Sequence, residues 1–246
     1  MRYLPYIAVA LGITGLVSYS LLSKKPNKVE STVQTTTATT KVSSANWISK
    51  ETNALEPQAS NLSPTVLKVG LTAYLKAREK GLDNKQVLTI IDFSKPSDER
   101  RMWVINVKSA KVLMNTWVAH GSGSGERYAT SFSNTSHSLK SSLGVFVTTQ
   151  SYSGGHGYSL RVQGLEHGIN DNAYNRAVVF HSAAYAGGDV AKSRGRLGRS
   201  WGCMAVGQNI IKPLVDTIKD NTVVVAYYPD QRWLQHSTWV NTSLEA

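Results

Sequence analysis

VLTIIDFSKPSDERRMWVINVKSAKVLMNTWVA (residues 87–119) holds three short runs, VLTIIDF, RMWVINV and KVLMNTWVA, parted by Ser, Pro, Asp and Lys. Each is too short for a stable helix and rich in β-branched and aromatic residues, so each predicts a strand. The same punctuation recurs around GVFVTT (144–149), YSLRVQG (158–164), AVVFHSA (177–183) and TVVVAYY (222–228). Helical spacing is confined to two places. Leu67, Leu71, Tyr74 and Leu75 follow a candidate N-cap, Ser63, with Pro64 behind it, and Gly81 is a candidate stop. Ile210, Ile211, Leu214, Val215 and Ile218 mark a second helix, in which Pro213 is tolerable only near the first turn. No repeat of fixed period occurs. The pattern predicts a mostly-β domain with a few peripheral helices, spanning 61–246.

Ahead of it lie two segments of other character. Leu4–Leu22 is nineteen residues without a charge, preceded by Arg2 and followed by Lys24 and Lys25. It reads as a signal peptide or a signal-anchor helix within residues 1–25. Ser18-Tyr19-Ser20 makes a poor cleavage site, which favours a retained inner-membrane anchor. Residues 26–60, with STVQTTTATTKVSS at 31–44, lack hydrophobic periodicity and read as a solvated, disordered linker. Both segments point to export, to the periplasm or cell envelope. The formal net charge of +11 implies an anionic partner. Export makes nucleic acid an unsuitable one and leaves membrane surface or acidic cell-wall polymer.

Among 246 residues there is one cysteine, in GRSWGCMAVG (198–207). A cysteine kept for packing sits in an apolar element; Cys203 sits instead in a polar, glycine-flanked turn. In an oxidising compartment an odd thiol suggests reactivity. Of six histidines, His181 stands out because it closes the apolar run AVVFHSA. A strand end can deliver its imidazole to a thiol from a distant segment, with transfer of the thiol proton. Such pairing, together with Lys192, Arg194, Arg196 and Arg199 upstream, predicts a thiol pKa lowered to roughly 6. Gly202 leaves backbone N–H groups open to a developing oxyanion.

These residues resemble a family. HSAAYAGGDVAKSRGRLGRSWGCMAV (181–206) is similar to the signature of YkuD-type L,D-transpeptidase catalytic domains, and within them to the murein L,D-transpeptidases. The likeness extends through IIDFSKPSDERRMWVINV, VAHGSGSG, FSN, SSLGVF and GLEHGINDNA, over about Leu62 to Tyr228. It implies a β-sandwich-like domain with the active site at one end. It also implies Cys203 as nucleophile, His181 as general base, a Ser182 carbonyl holding the imidazole, and an oxyanion loop of Gly202 and Cys203. Three positions depart from the pattern. Trp201 stands where the broader family has a second histidine, Ala205 where it has an arginine, and Met204 where close relatives carry proline. Arg199 is the candidate replacement for that arginine, with Ser200 and Trp201 as further substrate contacts.

The activity implied is a cross-linking transpeptidation on peptidoglycan stem peptides through a thioacyl-enzyme, with covalent inhibition by carbapenems. An L,D-carboxypeptidase trimming tetrapeptides, and a non-catalytic wall-binding module, are the alternatives. No metal or cofactor is expected. GSGSGE (121–126) lacks nucleotide-loop spacing and reads as a flexible surface loop, and Gly154–Gly157, which includes His156, as a turn near a substrate flap. Tyr152, Tyr158, Tyr174 and Tyr185 are candidates for lining a peptide groove.

Overall fold

The computed structural model describes residues 30–59 and 61–241. The segment Leu4–Leu22 lies outside the described residues. Among those described, no helix is long and apolar enough to cross a membrane. The chain divides into two compact units, Met1–Thr40 and Lys41–Ala246, and the second contains the whole of the sheet.

Eight strands form that sheet: β1 (Val87–Asp92), β2 (Met102–Asn106), β3 (Lys111–Thr116), β4 (Gly144–Gly154), β5 (Gly157–Gly164), β6 (Val179–Ser182), β7 (Met204–Val206) and β8 (Val223–Tyr227). Seven of them coincide with the runs marked by composition. β7 is only three residues long and follows the cysteine directly, so no run announced it. The spatial order is β3-β2-β1-β8-β4-β5-β6-β7. β8 is parallel to β1 and β7 is parallel to β6; the other neighbours are antiparallel.

The sheet curls until its two ends meet. Ala119, just past β3, bridges Ala205 of β7, with its N–H 2.8 Å from the Ala205 carbonyl, and Gly121 bridges Ser200. The architecture is sheet-rich with few helices, as expected, and the sandwich-like domain is built from a single curled sheet. Alternation along the strands sends Ile91, Met102, Val104, Phe146, Phe180 and Val224 to one core, and Leu88, Ile90, Trp103, Ile105, Val145 and Val225 to the other. Strands buried on both faces read as near-continuous apolar runs, which is why these were easy to mark.

Helices close both cores. α4 (Gln208–Ile218) seals the first with Ile211, Leu214, Val215 and Ile218. Pro213 is its sixth residue, one turn further in than expected. α2 (Pro64–Glu79) covers the second core, so close at Gly70 that a Cβ there would stand 2.4 Å from Ile90 Cδ1. Gly81 ends the α2 region at φ +70°, its N–H on the Arg78 carbonyl.

The folded part begins earlier than Leu62. The expected linker is helical over Glu30–Leu55 (α1), followed by a 3₁₀ turn, Glu56–Gln58. Leu55 and Ala59 are buried in the second core, Ile48 packs on it, and Trp47 stacks on Tyr74 at 6.2 Å. Trp47, Ile48, Thr52 and Leu55 recur at helical spacing, but polar neighbours dilute that face. Two further helices, α3 (Gly188–Arg194) and α5 (Gln231–His236), are too short to show periodicity.

Candidate active site

The seam where the sheet closes gathers five segments: Ala119–Gly125, Ser138–Ser142, Arg176–Ser182, Arg199–Val206 and the tip of the β4–β5 hairpin. His181 and Cys203 both lie here. In the parallel β6–β7 ladder His181 pairs with Ala205 and Phe180 with Met204. Phe180 and Met204 face the first core, so His181 and Ala205 face away from it. One step before β7, Cys203 comes level with Val179. Strand geometry then puts Cys203 and His181 roughly 8 Å apart at Cα, within reach of side-chain rotation.

The imidazole is buried and oriented. His181 Nδ1 lies 2.9 Å from the Ser182 carbonyl, which can only accept, so Nδ1 carries the hydrogen and Nε2 the lone pair. Burial pushes its pKa down, partly offset by that bond, and the neighbouring His156 pushes the same way as burial. The ring is a neutral base at neutral pH.

The sulfur is not a preformed thiolate. Cys203 Sγ donates to the Ala177 carbonyl at 3.5 Å, and among the described residues no hydrogen bond joins it to His181. Burial raises its pKa above the ordinary thiol value, while the Val179 N–H and the Arg176 charge pull it down. This corrects the lowered value inferred from the sequence, for a physical reason: the positive charge that reaches the sulfur belongs to Arg176, while Arg196 and Arg199 are engaged with Glu126. Alkylation of Cys203 by iodoacetamide in the free protein is accordingly expected to climb through pH 7 to 9 without levelling off, because the thiolate fraction is still rising there. A plateau below pH 7, followed by mass spectrometry, would mean a resting ion pair.

Arg176 escaped the sequence reading. Its Nη1 donates to the Ser133 carbonyl and to Ser142 Oγ, both at 2.6 Å, and its Nη2 to the Lys140 carbonyl at 2.6 Å and to Ser138 Oγ at 3.3 Å. One guanidinium thus clamps the 133–142 segment beside the nucleophile. Gly202, at φ +118°, passes so close that a Cβ would stand 2.8 Å from the Lys140 carbonyl and 3.3 Å from Arg176 Nη2.

The other expected site residues surround this loop. Ser200 is buried; its Oγ accepts from the Gly202 N–H at 3.1 Å and donates to the Cys203 carbonyl at 2.7 Å. It is therefore a clamp within the turn, and the Gly202 N–H is held by it in the resting loop. Arg199 Nη1 lies 2.5 Å from Glu126 Oε1 and 3.3 Å from the Gly125 carbonyl. It pins the 121–126 loop and is not directed at an open cleft. Trp201 is 82% exposed beside the nucleophile. Of the four tyrosines, Tyr185 has its pKa raised by burial and lies near enough to Cys203 that a thiolate there would raise it further, Tyr152 and Tyr174 flank the Arg161 guanidinium, and the Tyr158 hydroxyl donates to Asp216.

GSGSGE is a wall of the site rather than a flexible surface loop. A Cβ on Gly121 would stand 2.2 Å from the Leu139 carbonyl and 2.9 Å from Gly202 Cα. Its N–H donates to Ser141 Oγ, which donates on to the Gly202 carbonyl. Behind it, fully buried Arg101 donates to His120 Nδ1 at 2.7 Å, and His120 Nε2–H reaches the Gly125 carbonyl at 3.2 Å. Burial and Arg101 hold His120 down at about 4, so this link stays neutral and intact at ordinary pH.

A thiol just ahead of β7 and an oriented neutral imidazole on the adjoining parallel strand β6, with a cation by the sulfur, make up a candidate cysteine-type site. The L,D-transpeptidase catalytic domain model matches residues 58–227, and the chain belongs to that family. No curated protein matches it. Similar solved structures include an L,D-transpeptidase from Mycobacterium smegmatis, 14% identical over 58% of this chain and 59% of that one, with a TM-score of 0.37. Others are the L,D-transpeptidase LdtMt1 in complex with imipenem (14%, 56% and 57%, TM-score 0.35) and the Ldtfm avibactam carbamoyl enzyme (17%, 60% and 51%, TM-score 0.36). The chain spans little more than half the length of these structures.

Proposed function

We propose that the protein is an exported peptidoglycan L,D-transpeptidase that forms cross-links between third-position residues of stem peptides. The observation that carries this reading is the Cys203–His181 arrangement on adjoining strands, within a chain of the L,D-transpeptidase family. The Cys203 thiol passes its proton to His181 Nε2 as sulfur bonds to the carbonyl carbon between the third residue and the terminal D-alanine. The C–N bond then breaks and D-alanine leaves, taking the proton from His181. A thioester remains on the enzyme. An amine from a second stem attacks it, gives its proton to His181, and the thiol is restored. The Arg176 guanidinium stabilises the sulfur's negative charge during this transfer. The exposed Trp201 ring offers an apolar surface to the stem at the rim. Carbapenems acylate the same sulfur, since their strained carbonyl presents the same electrophile. Leu4–Leu22 and the net charge of +11 support placement at the membrane surface against an anionic wall.

Incubating the full-length protein with disaccharide tetrapeptides tests this. Mass spectrometry should reveal cross-linked dimers lacking one D-alanine. Tripeptide products alone would mean that water takes the acceptor's place, giving a carboxypeptidase. Unchanged tetrapeptides would overturn both readings.

A further inference from the structure

The GGHG turn plays no part in the acyl-transfer steps above, yet it lies over the base. The β4–β5 ladder runs out to Gly154 paired with Gly157, leaving Gly155 and His156 at the tip. This carries the exposed His156 ring to 4.5 Å from the His181 ring, tilted by 32°. The Ser182 hydroxyl ties the tip down by donating to the His156 carbonyl at 3.2 Å. The same residue, Ser182, thus anchors both rings, one through its carbonyl and one through its hydroxyl.

We propose that His156 is a positioning residue for His181: the exposed ring lies so close against the buried one that a positive charge on both is opposed, and this keeps the base neutral. Two positive rings at this separation repel strongly where burial weakens screening. Water solvates a charge on His156, and His181 has no such solvation. The base therefore stays neutral, able to receive the thiol proton, at pH values where an isolated imidazole would already be charged. The nucleophile loop supplies no second imidazole, since Trp201 stands there.

Other ionisable groups around His181 do not substitute for His156. From β7 come only Met204, Ala205 and Val206, with Cys203 ahead of them as a thiol bonded to the Ala177 carbonyl. Tyr185, after β6, is a neutral phenol whose pKa burial raises further. On β5 the Tyr158 hydroxyl is bound to Asp216, and Arg161 lies between Tyr152 and Tyr174. On α4, Lys212 is paired with Asp216 at 2.7 Å.

The inference rests on His181 being the base of the proposed reaction, but its test does not need turnover. The His181 imidazole is titrated by NMR in the full-length wild type, His156→Phe and His156→Arg. Phenylalanine keeps a stacked ring without charge, and arginine fixes a positive charge. The His181 midpoint is expected to rise by about one pH unit in His156→Phe and to fall below the wild-type value in His156→Arg, where the neighbouring charge is permanent. Amide spectra report whether each variant is folded, and either one suffices. A His181 midpoint unchanged in the folded variants overturns the proposal. The acid limb of imipenem acylation should move with the midpoint. If the wild type is not acylated while the His181 shift persists, the coupling stands and the transpeptidase reading falls.

Discussion

Cys203→Ala is expected to abolish cross-linking, lowering product formation by on the order of 10³-fold or more, because no other side chain at the seam can form the thioester. Met204, Ala205 and Gly202 flank it, Ser200 is buried and engaged with the loop, the Ser141 hydroxyl bridges the Gly121 N–H and the Gly202 carbonyl, and the Ser142 hydroxyl is held by Arg176. The loss should not come from unfolding. The thiol is partly exposed and makes only weak hydrogen bonds, to the Ala177 carbonyl and from the Val179 N–H, so its removal should cost no more than about 1–2 kcal/mol. Intact-protein mass after imipenem treatment should increase by one adduct in the wild type and by none in Cys203→Ala. An adduct of equal yield in the variant would place the nucleophile elsewhere.

Arg176→Met should damage both stability and chemistry. The guanidinium donates four hydrogen bonds, two of them to the backbone carbonyls of Ser133 and Lys140. Methionine fills the space but leaves those acceptors unpaired, and the side chain is half-buried. A loss of about 2–4 kcal/mol is expected, read as a lowered urea midpoint. The sulfur would also lose its cationic neighbour. Its pKa is already pushed up by burial, so it should rise further, and acylation at pH 7 should fall roughly tenfold. Raising the pH restores rate, since the missing charge affects only the thiolate fraction. Arg176→Lys keeps the charge but not the planar fork, and should recover the pH profile better than the stability. Equal acylation rates in folded Arg176→Met and wild type, from pH 6 to 9, would remove Arg176 from any electrostatic role.

Local sequence determined the elements. Apolar runs of six to nine residues between turn residues can satisfy their backbone and bury their apolar side chains only as strands in a covered sheet, and seven of the eight strands followed from that. The apolar faces of α2 and α4 followed from helical spacing. The lone thiol beside a glycine, and a histidine at a strand end, marked the candidate pair without any coordinates. What the sequence could not convey was which distant segments would be brought against that pair. Arg176 reaches residues 34 to 43 positions away in the chain, Gly121 meets Gly202 only because the sheet's two ends close on each other, and His156 stands over His181 only because β4 continues past its apolar run to a glycine tip. These contacts have no periodicity, since each is made once by a single side chain. For the same reason the state of the sulfur was decided by tertiary structure. A count of nearby arginines in the sequence predicts a thiolate. Burial, with Arg176 the cation in reach and Arg196 and Arg199 tied to Glu126, gives a neutral thiol that must lose its proton as substrate arrives.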